Sequence, residues 1–476
     1  MSEFQYTHLD EIPKIHEKLR LTFESGKTLP LHYRRAQLLA LGRLVQDNAD
    51  ALLNAIYVDV GRQKLEANMP EISPIVAACV AAADSLETWM KPEKPPCQDA
   101  LRSSWDITVH RAPKGIVINI VPWNYPVILA LWPLVGAIAA GCTCVVKPSE
   151  LSPTVSTLLA DLFPKYLDTD AYAIVNGAVP ETERLLEFKW DHIFFTGSAR
   201  VGRIIAVAAA KQLTPVTLEL GGKSPVFIDA NNTDLEIAAR RVCTSPDYVL
   251  VPRDKQDALV AAFEKAYDAF WPHSKSSLDE NSELGHIISA ASQDRILDLI
   301  KNTKGTIVKG GQSEGRRIAL TIVNDVRPDD ILMREEIFGP IMSIVPVDDV
   351  NEAIHVIRSL PSPLDIYLFS ESAETKNLFL QRTRSGSLIL NDTFSQLSVT
   401  EMPFGGCGDS GCKSTVVNVL DGQYFGKYSF DTFTHLRSSS NVPLETDSFL
   451  KIRYPPYTEQ AYEALTPGFR LKIPDI

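Results

Sequence analysis

A chain of 476 residues, 45% hydrophobic and 22% charged, is long enough for two or three domains and has the make-up of an ordinary soluble globular protein. Its formal net charge of −12 repels nucleic acid and anionic membrane surfaces, so a small-molecule ligand is expected and a nucleic-acid partner is not. Seven cysteines, an odd number without metal-type spacing, speak against a disulfide framework or a metal site and fit a reducing cytoplasm.

The opening MSEFQYTHLDEIPK scatters charges where a secretory signal needs an apolar core. From about Ile12 to Val58 the periodicity predicts helices, with Leu38, Leu39, Leu41 and Leu44 on one face and Arg34, Arg35 and Arg43 outside. The helical pattern continues to Met90. KPEKPPCQDA then interrupts it with three prolines, and WDITVHRAPKGIVINIVP alternates like a strand pair. Val127 to Val146 is twenty residues without a charge, the length of a membrane span. Pro133 inside it and Gly141 before a β-branched run predict instead a buried helix that ends at a glycine and turns into a buried strand. No transmembrane anchor is expected, and the polar LTPGFRLKIPDI at the C-terminal end is too short to supply one.

From GIVINIV to TPVTLEL a strand, loop, helix rhythm repeats, with helices near 127–140, 153–163, 181–187 and 200–211. Short buried strands alternating with helices predict a parallel sheet covered on both faces. A second series runs from SPVFIDA to GSLILND, with helices near 233–242, 255–270, 350–359 and 373–383 and strands near 306–309 and 317–323. It reads as a second α/β domain of similar size.

Two loops sit where open α/β sheets bind ligands, past the carboxyl ends of strands. FFTGSARVG places Gly197 and Gly202 between a strand and a helix, where small residues let backbone N–H groups approach phosphate oxygens. Its spacing is not GxGxxG, and a plain tight turn explains it equally well. VVKPSE ends another strand with Lys147 and Glu150, a cation and a carboxylate able to hold ribose hydroxyls or simply to face water.

Eight motifs then stand in order: VPWNYP, KPSE, FTGSARVG, LELGGKSP, a cysteine before PDYVL, EEIFGP, LILND and PFGGCGDSG. Together they resemble the aldehyde dehydrogenase superfamily over nearly the whole chain. WNYP and the late RYPPY resemble its class 3 and fatty-aldehyde branch. The resemblance implies an α/β fold with a Rossmann-type cofactor domain (1–90 and 108–217) and an α/β catalytic domain (218–405). It also implies a small oligomerisation strand pair (91–107 and 406–445) joining a homodimer, and a tail (446–476). The function implied is oxidation of an aliphatic or aromatic aldehyde to its acid by an NAD(P)-dependent enzyme.

Hydride leaves a carbonyl carbon only after a nucleophile has added to it, and a thiolate suits that task. By resemblance Cys243 is that nucleophile, Asn124 donates to the oxyanion together with the Cys243 backbone N–H, and Glu219 is the base that activates water against the thioester. Lys147 and Glu150 resemble the adenosine-ribose contacts, Gly197 and Gly202 flank the pyrophosphate turn, and Glu336 with Phe338 matches the nicotinamide-ribose end. A carboxylate facing the ribose 2′ position disfavours a phosphate there, yet the class 3 branch accepts both dinucleotides, so NAD or NADP is implied.

The sequence departs from the family twice. Glu219 and Cys243 are 24 positions apart, shorter than the family's separation by about three helical turns, so ARRV runs straight into the cysteine. Either the cysteine is displaced, or the helix over Thr233–Val242 unwinds and uncovers Leu235, Ile237, Ala238 and Val242. The second departure is an extra segment, about Cys412 to Asp421, expected to loop out. A non-catalytic dinucleotide-binding protein of this fold is the alternative function.

Overall fold

The computed structural model describes residues 4–97, 102–242, 246–272, 276–279, 282–413, 423–466 and 472–474. Five helices come first: α1 (Ile12–Glu24), α2 (Leu31–Asp47), α3 (Ala49–Val60), α4 (Lys64–Ala67) and α5 (Ser73–Met90). Leu38, Leu41 and Leu44 of α2 are buried, as their spacing predicts, and Leu39 is half-buried.

The first large sheet contains β2 (Ile116–Ile120), β3 (Thr143–Lys147), β4 (Tyr172–Ile174), β5 (His192–Thr196) and β6 (Val216–Glu219), after β1 (Thr108–Pro113), which lies elsewhere. These five strands are parallel, in the order β6-β5-β2-β3-β4. The crossovers are α6 (Ile128–Ala140), α7 (Pro153–Tyr166), α8 (Val179–Leu186) and α9 (Ala199–Ala210). Strand order reverses between β2 and β5, which opens a crevice beyond their carboxyl ends.

The uncharged run from Val127 divides as expected into a buried α6 and a buried β3, separated by Gly141 at φ +89°. The arginine pattern corrects the sequence reading, because Arg34 is buried rather than outside. Its guanidinium donates to Thr28 O at 3.2 Å and Ala139 O at 3.1 Å. The last carbonyls of a buried helix need donors, and a cation also complements the negative end of the helix dipole. A Cβ on Gly141 would lie 2.7 Å from Arg34 Cζ, so the positive φ and the arginine both exclude a side chain there.

The second sheet has seven strands: β7 (Pro225–Ile228), β8 (Tyr248–Pro252), β9 (Thr306–Lys309), β12 (Thr321–Asn324), β13 (Ile341–Val347), β14 (Asp365–Phe369) and β15 (Ser387–Leu390). Their order is β15-β14-β7-β8-β13-β12-β9, with only β9 antiparallel. A ribbon of β10 (Ser313–Glu314) and β11 (Arg317–Ile318) occupies part of the predicted 317–323 strand. The covering helices are α10 (Leu235–Val242), α11 (Gln256–Phe270), α12 (Ala290–Asn302), α13 (Val350–Ser359) and α14 (Ala373–Arg382).

Helix α10 is intact to Val242, so it has not unwound. Ala238, Ala239 and Val242 are buried with Leu259, Val260 and Phe263 of α11, whereas Ile237 is exposed and Leu235 only partly buried. Burial of a valine stabilises by about 1.5–3 kcal/mol, which favours keeping the helix. Cys243 lies outside the described residues.

The extra segment does not begin as a loop. Gly411–Lys413 forms β16, antiparallel to β6 at the edge of the first sheet, with Cys412 opposite Leu218. Residues 414–422 lie outside the described residues. The chain then runs through α16 (Gly426–Thr432), after the one-turn α15 (Ser395–Ser398). Gly136 of α6 permits close approach to α16, since a Cβ there would lie 2.7 Å from Ser429 O.

The chain divides into two compact units, a large one of Met1–Trp89 and Pro113–Thr434 and a smaller one of Met90–Ala112 and His435–Ile476. In the smaller unit β1 pairs with β17 (Thr434–Ser439). The expected strand pair around residues 108–120 is therefore two strands in different sheets. Polar, half-exposed β1 takes a distant partner, whereas fully buried β2 belongs among parallel neighbours.

Candidate functional site

Glu219 is the last residue of β6, buried at 4% exposure. Its backbone carbonyl accepts from Gly197 N–H at 2.9 Å, which ties it to the β5–α9 loop. Its Oε2 accepts from Gly406 N–H at 3.3 Å, and its Oε1 is buried with no hydrogen-bond partner among the described residues. The glycine-rich Gly405–Gly411 turn is thus wrapped over the end of β6, where Leu220 N–H also donates to Ser410 O at 2.8 Å. Burial pushes the Glu219 carboxyl well above the usual carboxylate range, and the neighbouring Asp365 pushes it further.

Glu336 stands against the same strand end. A Cβ on Gly221 would lie 2.1 Å from Glu336 Oε2, so a side chain there would displace the carboxylate. Burial first, then Asp247, raises the Glu336 carboxyl to about 7. Phe338, two residues on, has φ +48° and is half exposed. Its ring meets Trp123 edge to face at 5.3 Å between centroids. That contact joins the Glu336–Phe338 loop to the loop carrying Asn124, whose Oδ1 is buried without a partner among the described residues.

Lys147 ends β3 with its side chain 6% exposed and its Nζ 3.1 Å from Glu150 Oε2, and Val121 N–H donates to its carbonyl at 3.0 Å. Gly197 and Gly202 are held by packing. A Cβ would lie 2.6 Å from the Phe195 ring at the first and 2.7 Å from Leu220 Cδ2 at the second. Ser198 between them caps α9, accepting from Val201 N–H at 3.4 Å. This presents a helix start at the crevice, the arrangement that suits a phosphate.

Asn124, Lys147, Glu150, Gly197, Gly202, Glu219, Glu336 and Phe338 are therefore linked around one end of the first sheet, in part directly and in part through Val121, Trp123, Leu220 and Gly221. Cys243, the remaining site residue expected from the sequence, lies outside the described residues. Sequence reasoning gave no role to Lys223 and Asp247, although both stand in motifs named above. They form a buried ion pair in which Lys223 Nζ also donates to Leu332 O at 2.7 Å and Glu335 O at 3.1 Å, and Asp247 Oδ1 accepts from Ile337 N–H at 2.8 Å. The pair fastens the Glu336 loop to the leads of β7 and β8. The signal was two charges inside apolar strand leads. Asp365, whose charge acts on Glu219, carried no motif at all.

A model of the aldehyde dehydrogenase family matches residues 1–424. The mouse protein named aldehyde dehydrogenase family 3 member B2 is 41% identical over 452 residues, covering 92% of this chain and 91% of that protein. The substrate-bound AldH of Staphylococcus aureus superposes with a TM-score of 0.89 at 33% identity, covering 96% of this chain and 99% of the other. The NAD-dependent aldehyde dehydrogenase of Sinorhizobium meliloti superposes with a TM-score of 0.80 at 25% identity, covering 95% and 89%.

Proposed function

Because the chain belongs to the aldehyde dehydrogenase family, on its class 3 branch, we propose that it oxidises an aliphatic or aromatic aldehyde to the carboxylic acid with Cys243 as nucleophile. The Cys243 thiolate adds to the carbonyl carbon, and the Asn124 amide donates to the oxygen as it becomes an alkoxide. Such a donor is worth about 3 kcal/mol in the transition state. Collapse of the adduct expels hydride and leaves a thioester on Cys243. Glu219 then takes a proton from water, which attacks the thioester and releases the acid and the thiolate.

A bound nicotinamide dinucleotide supplies the hydride acceptor. The residues present fit NAD or NADP: the capped start of α9 for the pyrophosphate, the Lys147–Glu150 pair for the adenosine ribose, and the desolvated Glu336 with Phe338 for the other ribose. Likeness to the NAD-dependent enzyme of S. meliloti supports the same group.

The observation that carries the reading is Glu219: a carboxyl buried at the strand end, with one oxygen fixed by Gly406 and the other without a partner among the described residues. Its raised proton affinity is what a base toward water needs. The Glu219→Gln variant is expected to give one burst of reduced nicotinamide per site in stopped-flow absorbance, with steady turnover down about 100-fold. Loss of burst and turnover together would assign Glu219 to an earlier step, and unchanged turnover would remove its role.

We also propose a cytoplasmic homodimer without a membrane anchor. The six described cysteines are free. The helical run Lys64–Met90 is long and apolar enough to cross a membrane, yet Ile75, Cys79, Ala82, Ala83 and Leu86 are buried in the protein. Fractionation of cells between cytosol and membranes tests this placement.

A further inference from the structure

Asn124 has no hydrogen bond from its side chain among the described residues, and its Oδ1 is buried without a partner. The aim of its amide is therefore set by its backbone. Two charged side chains from the N-terminal helical region hold that backbone. Arg62, just past α3, donates through Nη2 to the Asn124 carbonyl at 2.9 Å and through Nη1 to Glu71 Oε1 at 2.6 Å. Its guanidinium also lies 4.2 Å over the Tyr125 ring. Glu71, fully buried, accepts at Oε2 from Val127 N–H at 2.9 Å and Ile128 N–H at 3.4 Å, the first backbone donors of α6. From Asn124 to Ile128 every residue except Pro126 is gripped by one member of the pair.

We infer that Arg62 and Glu71 are positioning residues for the oxyanion amide, a clamp that fixes the Asn124 backbone from behind while its side chain faces the substrate. The inference rests on the reading of Asn124 as the oxyanion donor. A guanidinium suits the task because its planar fork reaches a carboxylate and a carbonyl together. A glutamate suits its partner position because it neutralises the arginine and satisfies a helix start at once. Displacing a catalytic group by about 1 Å costs about 100-fold in rate, so a clamp removed without unfolding shows itself in kcat.

A double-mutant cycle tests it. Arg62→Ala is expected to lower kcat at least tenfold in the parent and less than twofold in an Asn124→Ala background, with dinucleotide binding by fluorescence quenching unchanged in both. Arg62→Lys and Glu71→Gln give smaller losses of the same pattern and serve if Arg62→Ala does not fold. Equal losses in both backgrounds, or no loss in the parent, overturn the clamp. If Asn124→Ala costs nothing, the oxyanion reading fails first and the clamp with it. A readout independent of turnover is hydrogen exchange of the peptide spanning residues 121–128. It is expected to speed up at least tenfold in Glu71→Gln with other segments unchanged, and unchanged protection there contradicts the clamp.

Discussion

Asp365 begins β14 with its Oδ2 accepting from Tyr367 OH and Gln396 Nε2, both at 3.3 Å, and its Oδ1 buried without a partner among the described residues. Burial raises its carboxyl to about 6 from the ordinary 3.8. A carboxyl whose folded pKa is raised binds more protons in the folded state, so it detracts from stability as pH climbs from 3.8 to about 6. The cost is complete above that window and absent below it. Asp365→Asn is therefore expected to be more stable than the parent by up to about 3 kcal/mol at pH 8 and equal to it near pH 3.5, read by denaturant melts. A gain that does not change with pH would contradict this. The same substitution removes a negative charge facing Glu219, so the acid limb of thioester hydrolysis moves to lower pH. Asn124, Glu219 and Glu336 could be proposed from the sequence because they stand in motifs tied to a reaction. Arg62, Glu71 and Asp365 could not, since their roles come from packing between segments far apart in the chain.

Helices and parallel strands of the first sheet were legible from the alternation of short apolar runs with amphipathic ones. The pairing of β1 was not, because β17 lies more than 300 residues away and its exposed polar alternation suits any open edge. Nor was β16, a three-residue strand inside a segment taken for a loop. The shortened lead-in to Cys243 posed a choice between the helix and the thiol's position, and on the helix side packing decided it: Ala238, Ala239 and Val242 stay buried. Strand β17, which lies within the 406–445 stretch expected to carry oligomerisation, is the element we propose to join two chains. Light scattering should report two chains per particle, and Arg437→Pro, which removes a donor from β17, should release monomers. A particle mass unaffected by the substitution would put the dimer contact elsewhere.

Across the whole molecule, a net charge of −12 leaves an anionic dinucleotide to be held by local features. We propose the start of α9 and the buried Lys147 ammonium for that task. Eight ordered motifs and a family match over residues 1–424 both mark an aldehyde-oxidising enzyme. The non-catalytic alternative differs from it in one observable, turnover. The most direct measurement is formation of reduced nicotinamide, followed by absorbance, when the purified chain is mixed with NAD and a medium-chain aldehyde, beside Cys243→Ala. Turnover in the parent, lost in Cys243→Ala while dinucleotide binding persists, is the predicted result. A parent that binds the dinucleotide but turns over no aldehyde, or a Cys243→Ala variant as active as the parent, would contradict it.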